Sequence, residues 1–181
     1  MLTQMHQRLR AQPTFESAVE AILDDARALN GAEFGSFQLL SGSRLLIVAQ
    51  RGFKAPFLRA FRTVANDEGS ACGRALKTRK TVLIEDVEAD LEFEPFRSVA
   101  REAGYRSVAT TPLIAADGYF MGVVATHFAR VHRPTPFEIE SFEAYCVSAA
   151  GHLRDLLGGE PLDAAAIRLS NRLYTDMGLP C

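Results

Sequence analysis

The sequence predicts an α+β fold with a central antiparallel sheet of five to six strands. The terminal helices are expected on one face of this sheet, and loops and short helices are expected to form a pocket on the other. Two pairs of extended runs are each joined by a short turn, helical patterns stand near both ends, and two long excursions separate the pairs. Hairpin strands pair antiparallel, so the excursions must cross a sheet face, where pockets commonly form.

A helix and a hairpin make up the first part of the predicted domain. Thr14 is placed to cap a helix with apolar residues at helical spacing, and Asn30-Gly31 ends that helix. Two extended runs follow at 34–40 and 44–50, and the turn sequence at 41–43 joins them. These runs are predicted to pair antiparallel.

The two excursions span residues 51–79 and 85–104. The second is acidic in its first half, whereas Pro95 suits the first turn of a helix that Gly104 ends. The predicted elements here are helices at 55–61, 71–78 and 95–103 and a short strand at 81–84.

A second hairpin and a long helix complete the pattern. Strands are predicted at 105–115 and 119–128, with a tight turn at 116–118, and a helix is predicted at 137–157. A weaker helical stripe lies in the tail. The predicted division is an N-terminal helical extension at 1–13, a domain at 14–157 and a C-terminal helical tail at 158–181.

Composition limits the class of protein. The chain has 181 residues, 48% hydrophobic and 23% charged, with a formal net charge of −2, as expected of one globular domain. Nucleic-acid binding is not expected, because no basic stripe appears, and the nearest candidate, His6 with Arg8 and Arg10, is typical of a solvated helix face. Neither a membrane-spanning run nor a signal peptide is recognisable, which predicts a soluble, cytoplasmic protein with no membrane partner.

Three cysteines, Cys72, Cys146 and Cys181, stand in unrelated contexts. An odd number argues against a disulfide framework, and no spacing suits zinc. All three are predicted to be reduced thiols. The acidic run at 85–94 also lacks a defensible metal-ligand spacing, so an exposed acidic face is predicted there, and no metal site.

Four segments, in this order and spacing, resemble the hallmark segments of GAF domains, as found in bacterial sensor kinases and related signalling proteins. The resemblance covers about residues 14–157. The segments are Gly69-Ser-Ala-Cys-Gly-Arg-Ala-Leu76, Val82-Leu-Ile-Glu-Asp-Val87, Gly104-Tyr-Arg-Ser-Val-Ala-Thr-Thr-Pro-Leu113 and Asp117-Gly-Tyr-Phe-Met-Gly-Val-Val-Ala-Thr-His-Phe128.

The resemblance implies which residues face the pocket. Carried over position by position, the ligand-binding set is Ser36, Gln38, Gln50, Arg51, Ala71, Cys72, Phe93, Val108, Thr110, Ala125 and His127. Strand alternation independently places the members of three pairs on one face, because residues two apart on a strand point the same way. The pairs are Ser36 with Gln38, Val108 with Thr110, and Ala125 with His127.

The resemblance also implies a function. A non-catalytic sensory or regulatory module is expected, which binds a small molecule and relays its state through the terminal helices to a signalling partner. A homodimer through these helices is expected, because leftover apolar stripes are buried in a second subunit. No cofactor is identified, and the small-molecule ligand is unnamed.

Two alternatives to this function stay open. One is a redox enzyme centred on Cys72, of the type of the free methionine sulfoxide reductases, which are GAF enzymes that use several cysteines. The other is a dimerisation scaffold without a pocket. The attachment residues of bilin-binding photoreceptors and the signature of cyclic-nucleotide binding are both unrecognisable in the chain.

Individual residues also have two interpretations. The amides at the start of the helix at 71–78 could hold an anion with Arg74 or Arg51, or Gly69 and Gly73 could serve only close packing. Cys72 could be a reactive thiol or a small buried side chain. Similarly, His127 could bind a ligand or be a structural histidine.

Overall fold

The computed structural model describes residues 1–180, and Cys181, with the thiol predicted for it, lies outside the described residues. Most predicted elements are found close to their expected places. The elements are α1 (Leu2–Arg10), α2 (Phe15–Asn30), β1 (Phe34–Ser41), β2 (Arg44–Arg51), α3 (Ala55–Ala60), β3 (Thr63–Val64), α4 (Ala71–Thr78), β4 (Val82–Ile84), a 3-10 helix (Glu94–Phe96), α5 (Arg97–Ala103), β5 (Ser107–Ile114), β6 (Phe120–Phe128), α6 (Pro136–Leu157) and α7 (Leu162–Asp176).

Six strands form one antiparallel sheet in the order β3-β2-β1-β6-β5-β4. The two hairpins meet at its centre, where β1 pairs with β6 and Ser36 stands opposite Ala125. This arrangement confirms the predicted α+β fold. Six strands agree with the predicted five to six, but the position of β3 was not predicted, because two residues are too short to show an alternating pattern.

The terminal helices are anchored by local signals that the sequence carries. The Thr14 hydroxyl accepts a hydrogen bond from the Ser17 amide at 3.1 Å, and Gly31 ends α2 in the left-handed conformation at φ +63°. A second capping box, of Thr135 and Glu138, begins α6. Within residues 1–180, no helix combines the length and apolar character that crossing a bilayer requires.

The sheet separates two hydrophobic cores. The helix-face core lies between the sheet and α1, α2, α6 and the first part of α7, and the pocket-face core lies between the sheet and α3, α4, α5 and the 85–104 excursion. The helix-face core includes Ile22, Leu23, Phe37, Leu39, Val124, Cys146 and Leu153. The pocket-face core includes Leu45, Ile47, Phe53, Phe57, Phe93, Tyr105 and Val108.

The tail helix α7 packs against both cores. Leu169 belongs to the helix-face core and Tyr174 to the pocket-face core. The Tyr174 hydroxyl donates a hydrogen bond to the backbone carbonyl of Leu58 on α3 at 2.5 Å. Arg62 lies over the Tyr174 ring, 4.7 Å from its centroid. The tail is therefore joined to the wall that α3 builds over the sheet.

The acidic run at 85–94 lies largely at the surface, as the sequence predicted, but its negative charge is partly balanced. Its carboxylates form ion pairs with arginines, as in Asp86 with Arg106 at 2.6 Å and Glu88 with Arg101 at 2.6 Å. The guanidinium groups hold the pKa of both carboxyls below their usual values. The arginines lie far away in sequence, which is why the run alone looked unbalanced.

Candidate functional site

A small cavity lies in the pocket-face core, between the centre of the sheet, α3 and the start of α4. Its volume is about 20 Å3, enough for roughly one water molecule, which needs about 10–15 Å3. The cavity is lined by Ser36, Gln38, Phe57, Phe61, Ser70, Ala71, Cys72, Phe93, Tyr105, Val108 and His127. Five of these eleven lining residues carry aromatic rings.

Seven of the eleven residues predicted for the site line this one cavity. They come from β1, α4, the 85–104 excursion, β5 and β6, and they are Ser36, Gln38, Ala71, Cys72, Phe93, Val108 and His127. The sheet register brings them together, because His127 stands opposite Val108 on β5, two residues along β6 from Ala125 opposite Ser36. That these residues bind a ligand stays a prediction.

Thr110 and Ala125 lie on the same sheet face but behind the cavity wall. Ala125 is fully buried between its strand neighbours Ser36 and Thr110. The Thr110 hydroxyl oxygen lies 3.7 Å from Cys72 Sγ. These two residues support the lining residues instead of facing the cavity.

Gln50 and Arg51 do not line the cavity, and Arg51 points to the opposite face of the sheet. Simple alternation from Ile47 would place Arg51 on the pocket side, but a β-bulge between Ile47 and Ala49 reverses the alternation. Arg51 therefore pairs with Asp24 at 2.8 Å and with Glu20 at 2.6 Å, both on α2.

Gln50 is opposite Ser36 in the register but is used locally. Its side-chain oxygen accepts a hydrogen bond from the Phe53 amide at 2.9 Å, which fixes the turn that leads into α3. The structure therefore corrects the prediction that Gln50 and Arg51 belong to the pocket.

Four lining residues were missed by the sequence reasoning: Phe57, Phe61, Ser70 and Tyr105. A signal existed for three of them. Phe57 and Phe61 are four residues apart, the spacing of one helix face, and Ser70 precedes a helix as capping residues do. In contrast, Tyr105 directly follows a helix-ending glycine, and only the tertiary fold brings it to the cavity.

Three buried polar atoms at the cavity have no hydrogen-bond partner within the described part of the chain. They are Ser36 Oγ, Gln38 Oε1 and His127 Nδ1. Ser36 and Gln38 are each 1% exposed and His127 is 4% exposed. A buried polar group without a partner costs about 1–3 kcal/mol, so three around one cavity require an explanation.

The ionisable groups of the cavity are all uncharged at neutral pH. Burial lowers the pKa of His127 to about 3 and raises the pKa of Cys72 to about 12. Burial also raises the pKa of Tyr105. Each shift has the same cause, because transfer from water disfavours the charged form.

The start of α4 is closely packed and does not form an open anion cradle. A Cβ added to Gly69 would lie 1.9 Å from the Glu92 carbonyl oxygen, and one added to Gly73 would lie 2.7 Å from that of Ala65. The Ser70 hydroxyl accepts a hydrogen bond from the Gly73 amide at 3.2 Å. The glycines therefore serve close packing.

Arg74, the cation that was considered for an anionic ligand, is held at the outer side of α4. Its guanidinium forms an ion pair with Asp90, and its Nε donates a hydrogen bond to the Gly69 carbonyl at 2.8 Å. It does not line the cavity. Neither Arg74 nor Arg51 thus supplies positive charge to the site.

The two described cysteines lie on opposite faces of the sheet. Cys72 belongs to the pocket-face core and Cys146 to the helix-face core. Both are free and buried, and burial raises the pKa of Cys146 as it does for Cys72. Cys146 is therefore not placed to resolve an oxidised Cys72. Within residues 1–180, no cluster of His, Cys, Asp or Glu is arranged to hold a metal ion.

Comparison with known protein families shows which family the chain belongs to. The family model described as GAF domain matches residues 12–153. The chain belongs to the GAF domain family. The match spans the sheet and its two excursions and ends before the tail helix α7. No curated protein sequence matches the chain.

Solved GAF structures share the fold at low sequence identity. The GAF domain of an Acinetobacter phosphoenolpyruvate-protein phosphotransferase is 15% identical, with a TM-score of 0.71 over 87% of this chain and 92% of that chain. A protein described as a GAF sensor from Burkholderia vietnamiensis is 22% identical, with a TM-score of 0.69 over 86% of this chain and 92% of that chain.

A third similar structure is that of an enzyme. The free methionine-R-sulfoxide reductase from Neisseria meningitidis, in complex with its substrate, is 14% identical. Its TM-score is 0.71 over 87% of this chain and 88% of that chain. At these identities the likeness of all three structures concerns the GAF fold alone.

Proposed function

We propose that this GAF domain is a non-catalytic sensory module that binds a small molecule in the pocket-face core. The observation that carries the proposal is the set of three unpartnered polar atoms around one cavity, Ser36 Oγ, Gln38 Oε1 and His127 Nδ1. Such groups are normally satisfied in folded proteins. A ligand that hydrogen-bonds to them would compensate their burial.

The relay would pass through the centre of the sheet. Ser36 and Gln38 face the cavity, and Phe37 between them packs in the helix-face core with residues of α2. A shift of β1 on ligand binding would therefore reach α2 and the other terminal helices directly. We propose residues 14–157 as the sensing unit, with 1–13 and 158–181 as helical extensions that carry the signal to a partner protein.

In a homodimer, the terminal helices would act on a second subunit. On α6, Phe137 is 76% exposed and Val147 is 43% exposed, so this helix presents two large apolar side chains at the surface. Exposed apolar side chains on a helix are commonly buried against a second copy. We propose a cytoplasmic signalling protein of this form, without nucleic-acid or membrane partners.

Native mass spectrometry of the protein purified from its own host tests both parts of the proposal. The expected result is a dimer mass and, in addition, a non-covalent small molecule that the Gln38→Leu variant does not retain. A wild-type protein that is always free of bound molecules, in host extract and after incubation with host metabolites, would contradict ligand binding. A monomer at micromolar concentration would contradict the dimer.

The cavity volume favours a second candidate, a scaffold that dimerises without a ligand. Ligand pockets commonly measure about 300–1,000 Å3, far above the roughly 20 Å3 of this cavity. A dimer with no bound molecule would support the scaffold. The redox alternative lacks such an observation, because Cys72 is buried and Cys146 lies across the sheet. Measured turnover of free methionine sulfoxide would restore it.

A further inference from the structure

The walls of the cavity carry no charge. Among the described residues, no Asp, Glu, Lys or Arg side chain lines it. The two arginines considered for an anionic ligand are engaged elsewhere, Arg74 with Asp90 and Arg51 with Asp24. The ionisable lining groups His127, Cys72 and Tyr105 are neutral at pH 7, as their burial requires.

An uncharged wall favours neutral ligands over charged ones. A carboxylate or phosphate would lose its hydration without gaining a cation, and an ammonium would lose its own without gaining a carboxylate. A neutral molecule avoids this cost. It needs only to hydrogen-bond with the amide oxygen of Gln38, the hydroxyl of Ser36 and Nδ1 of His127.

The space beside these polar atoms is already occupied by a planar ring. The Phe57 ring is parallel to that of Phe53, with centroids 3.5 Å apart and an interplanar angle of 3°. It meets the rings of His127 and Tyr105 edge to face, at centroid distances of 5.7 Å and 6.1 Å. The cavity walls are thus complementary to a flat aromatic ring.

Phe57 fills this space without satisfying the polar atoms around it. A phenyl ring carries no conventional hydrogen-bond donor or acceptor, so Gln38 Oε1 and His127 Nδ1 stay unpartnered while the ring is in place. The ring belongs to α3, a helix of six residues that begins soon after Gly52, which has a φ of +82°. A short covering helix can move more easily than a sheet strand.

We propose that the cavity takes a neutral, planar ring compound carrying a hydrogen-bond donor and an acceptor, such as an aromatic carboxamide, in place of the Phe57 ring. This inference rests on the proposed sensory function and narrows it to a ligand class. The ligand ring stacks on Phe53, its N–H donates to Gln38 Oε1, and its remaining polar group meets Ser36 or His127. Movement of α3 is the first consequence of binding.

Matched pairs of probes that differ in charge test the class. Benzamide with benzoate and nicotinamide with nicotinate are titrated into the full chain at pH 7 by isothermal titration calorimetry and ligand-observed NMR. Each amide should bind at least tenfold more tightly than its carboxylate. The Phe57→Ala variant should bind the amides at least tenfold more tightly than the wild type, because no ring has to be displaced.

Two further variants keep the test decisive. Phe142→Ala makes the same truncation in the helix-face core and should leave amide affinity unchanged relative to wild type. If Phe57→Ala does not fold, Phe57→Leu should still increase amide affinity, by a smaller factor. In either background, Gln38→Leu should reduce amide binding at least tenfold.

The possible failures are distinguishable. Carboxylates that bind as tightly as the amides would overturn the neutral class and leave the sensory proposal standing. If no probe binds the wild type or the Phe57 variants, the inference is wrong. Native mass spectrometry of host-purified protein then decides whether the sensory function fails as well.

Discussion

The two faces of the sheet treat buried polar groups differently. In the helix-face core, the Asp25 carboxylate is 3% exposed and is satisfied by the Tyr145 hydroxyl at 2.9 Å and by Arg8 at 3.2 Å. In the pocket-face core, Ser36, Gln38 and His127 present polar atoms that lack partners within residues 1–180. One face therefore resembles a finished core, and the other resembles a binding site.

The kinds of apolar side chain differ in the same way. Aliphatic residues of α2 and α6 make up much of the helix-face core, whereas phenylalanine, tyrosine and histidine rings gather around the cavity. Aromatic rings present flat surfaces that can exchange one stacked partner for another. We therefore expect the helix face to contribute most to stability, and the proposed binding to take place on the pocket face.

Truncation at the centre of the helix-face core should have the largest effect on folding. Ile22 is fully buried on α2, and Ile22→Ala removes buried methyl groups and leaves a cavity. The free energy of unfolding should fall by about 3 kcal/mol. Urea denaturation followed by circular dichroism measures the change. A loss below about 1 kcal/mol would show that this core is loosely packed and would weaken the comparison.

The second largest effect should be a loss of stability at acidic pH that is caused by the buried His127. Burial lowers its pKa from 6.5 to about 3, so below pH 6.5 the unfolded chain binds a proton that the folded chain does not. Stability is therefore lost as the pH falls through this window. Relative to His127→Phe, the wild type should lose about 2 kcal/mol between pH 6.5 and pH 4.5.

Urea denaturation at the two pH values measures this effect. The carboxylates titrate in both proteins, so the difference between wild type and variant isolates His127. Ser36→Ala removes a non-titrating group from the same cavity and should keep the pH dependence of the wild type. Equal pH dependence in wild type and His127→Phe would mean that His127 is accessible to water.

These contrasts show how far sequence reasoning reached. Period-two alternation correctly placed Ser36 with Gln38, and Ala125 with His127, on a shared face, because β1 and β6 pair regularly where these residues stand. The resemblance placed Arg51 in the pocket, but Arg51 points to the other face, because the bulge in β2 inserts a residue and leaves no mark in the pattern of side chains. Alternation is reliable only where pairing is regular.

The aromatic rings that line the cavity could not be predicted from the sequence, for a different reason. Phe57 and Tyr105 lie 48 positions apart in numbering, on excursions whose course over the sheet depends on tertiary packing. The ion pair of Asp86 with Arg106 could not be predicted for the same reason. Local patterns predicted elements and faces, but they did not predict which loop residues meet.

The hydrogen bond that completes the helix-face core should have a smaller, measurable effect. Tyr145→Phe removes the donor to Asp25 and should destabilise the fold by about 1.5 kcal/mol, typical of a hydrogen bond to a charged group. A double-mutant cycle with Asp25→Asn in urea denaturation should give a coupling of about 1 kcal/mol. Additive effects would indicate that Arg8 alone satisfies the carboxylate.

The matching change in the pocket-face core should stabilise the protein instead of destabilising it. Ser36→Ala removes a hydroxyl that is buried without a partner, so it should raise the free energy of unfolding by up to about 1 kcal/mol, because no hydrogen bond is lost and a desolvation cost disappears. The same variant should bind the proposed ligand less tightly than the wild type.

A substitution that stabilises the fold and weakens binding indicates a side chain that serves function. Replacement of a purely structural serine would instead destabilise the fold. Chemical denaturation without ligand, paired with benzamide titration, measures both signs. If Ser36→Ala destabilises the free protein by 1 kcal/mol or more, the hydroxyl has a structural partner and the contrast between the two faces does not hold at this position.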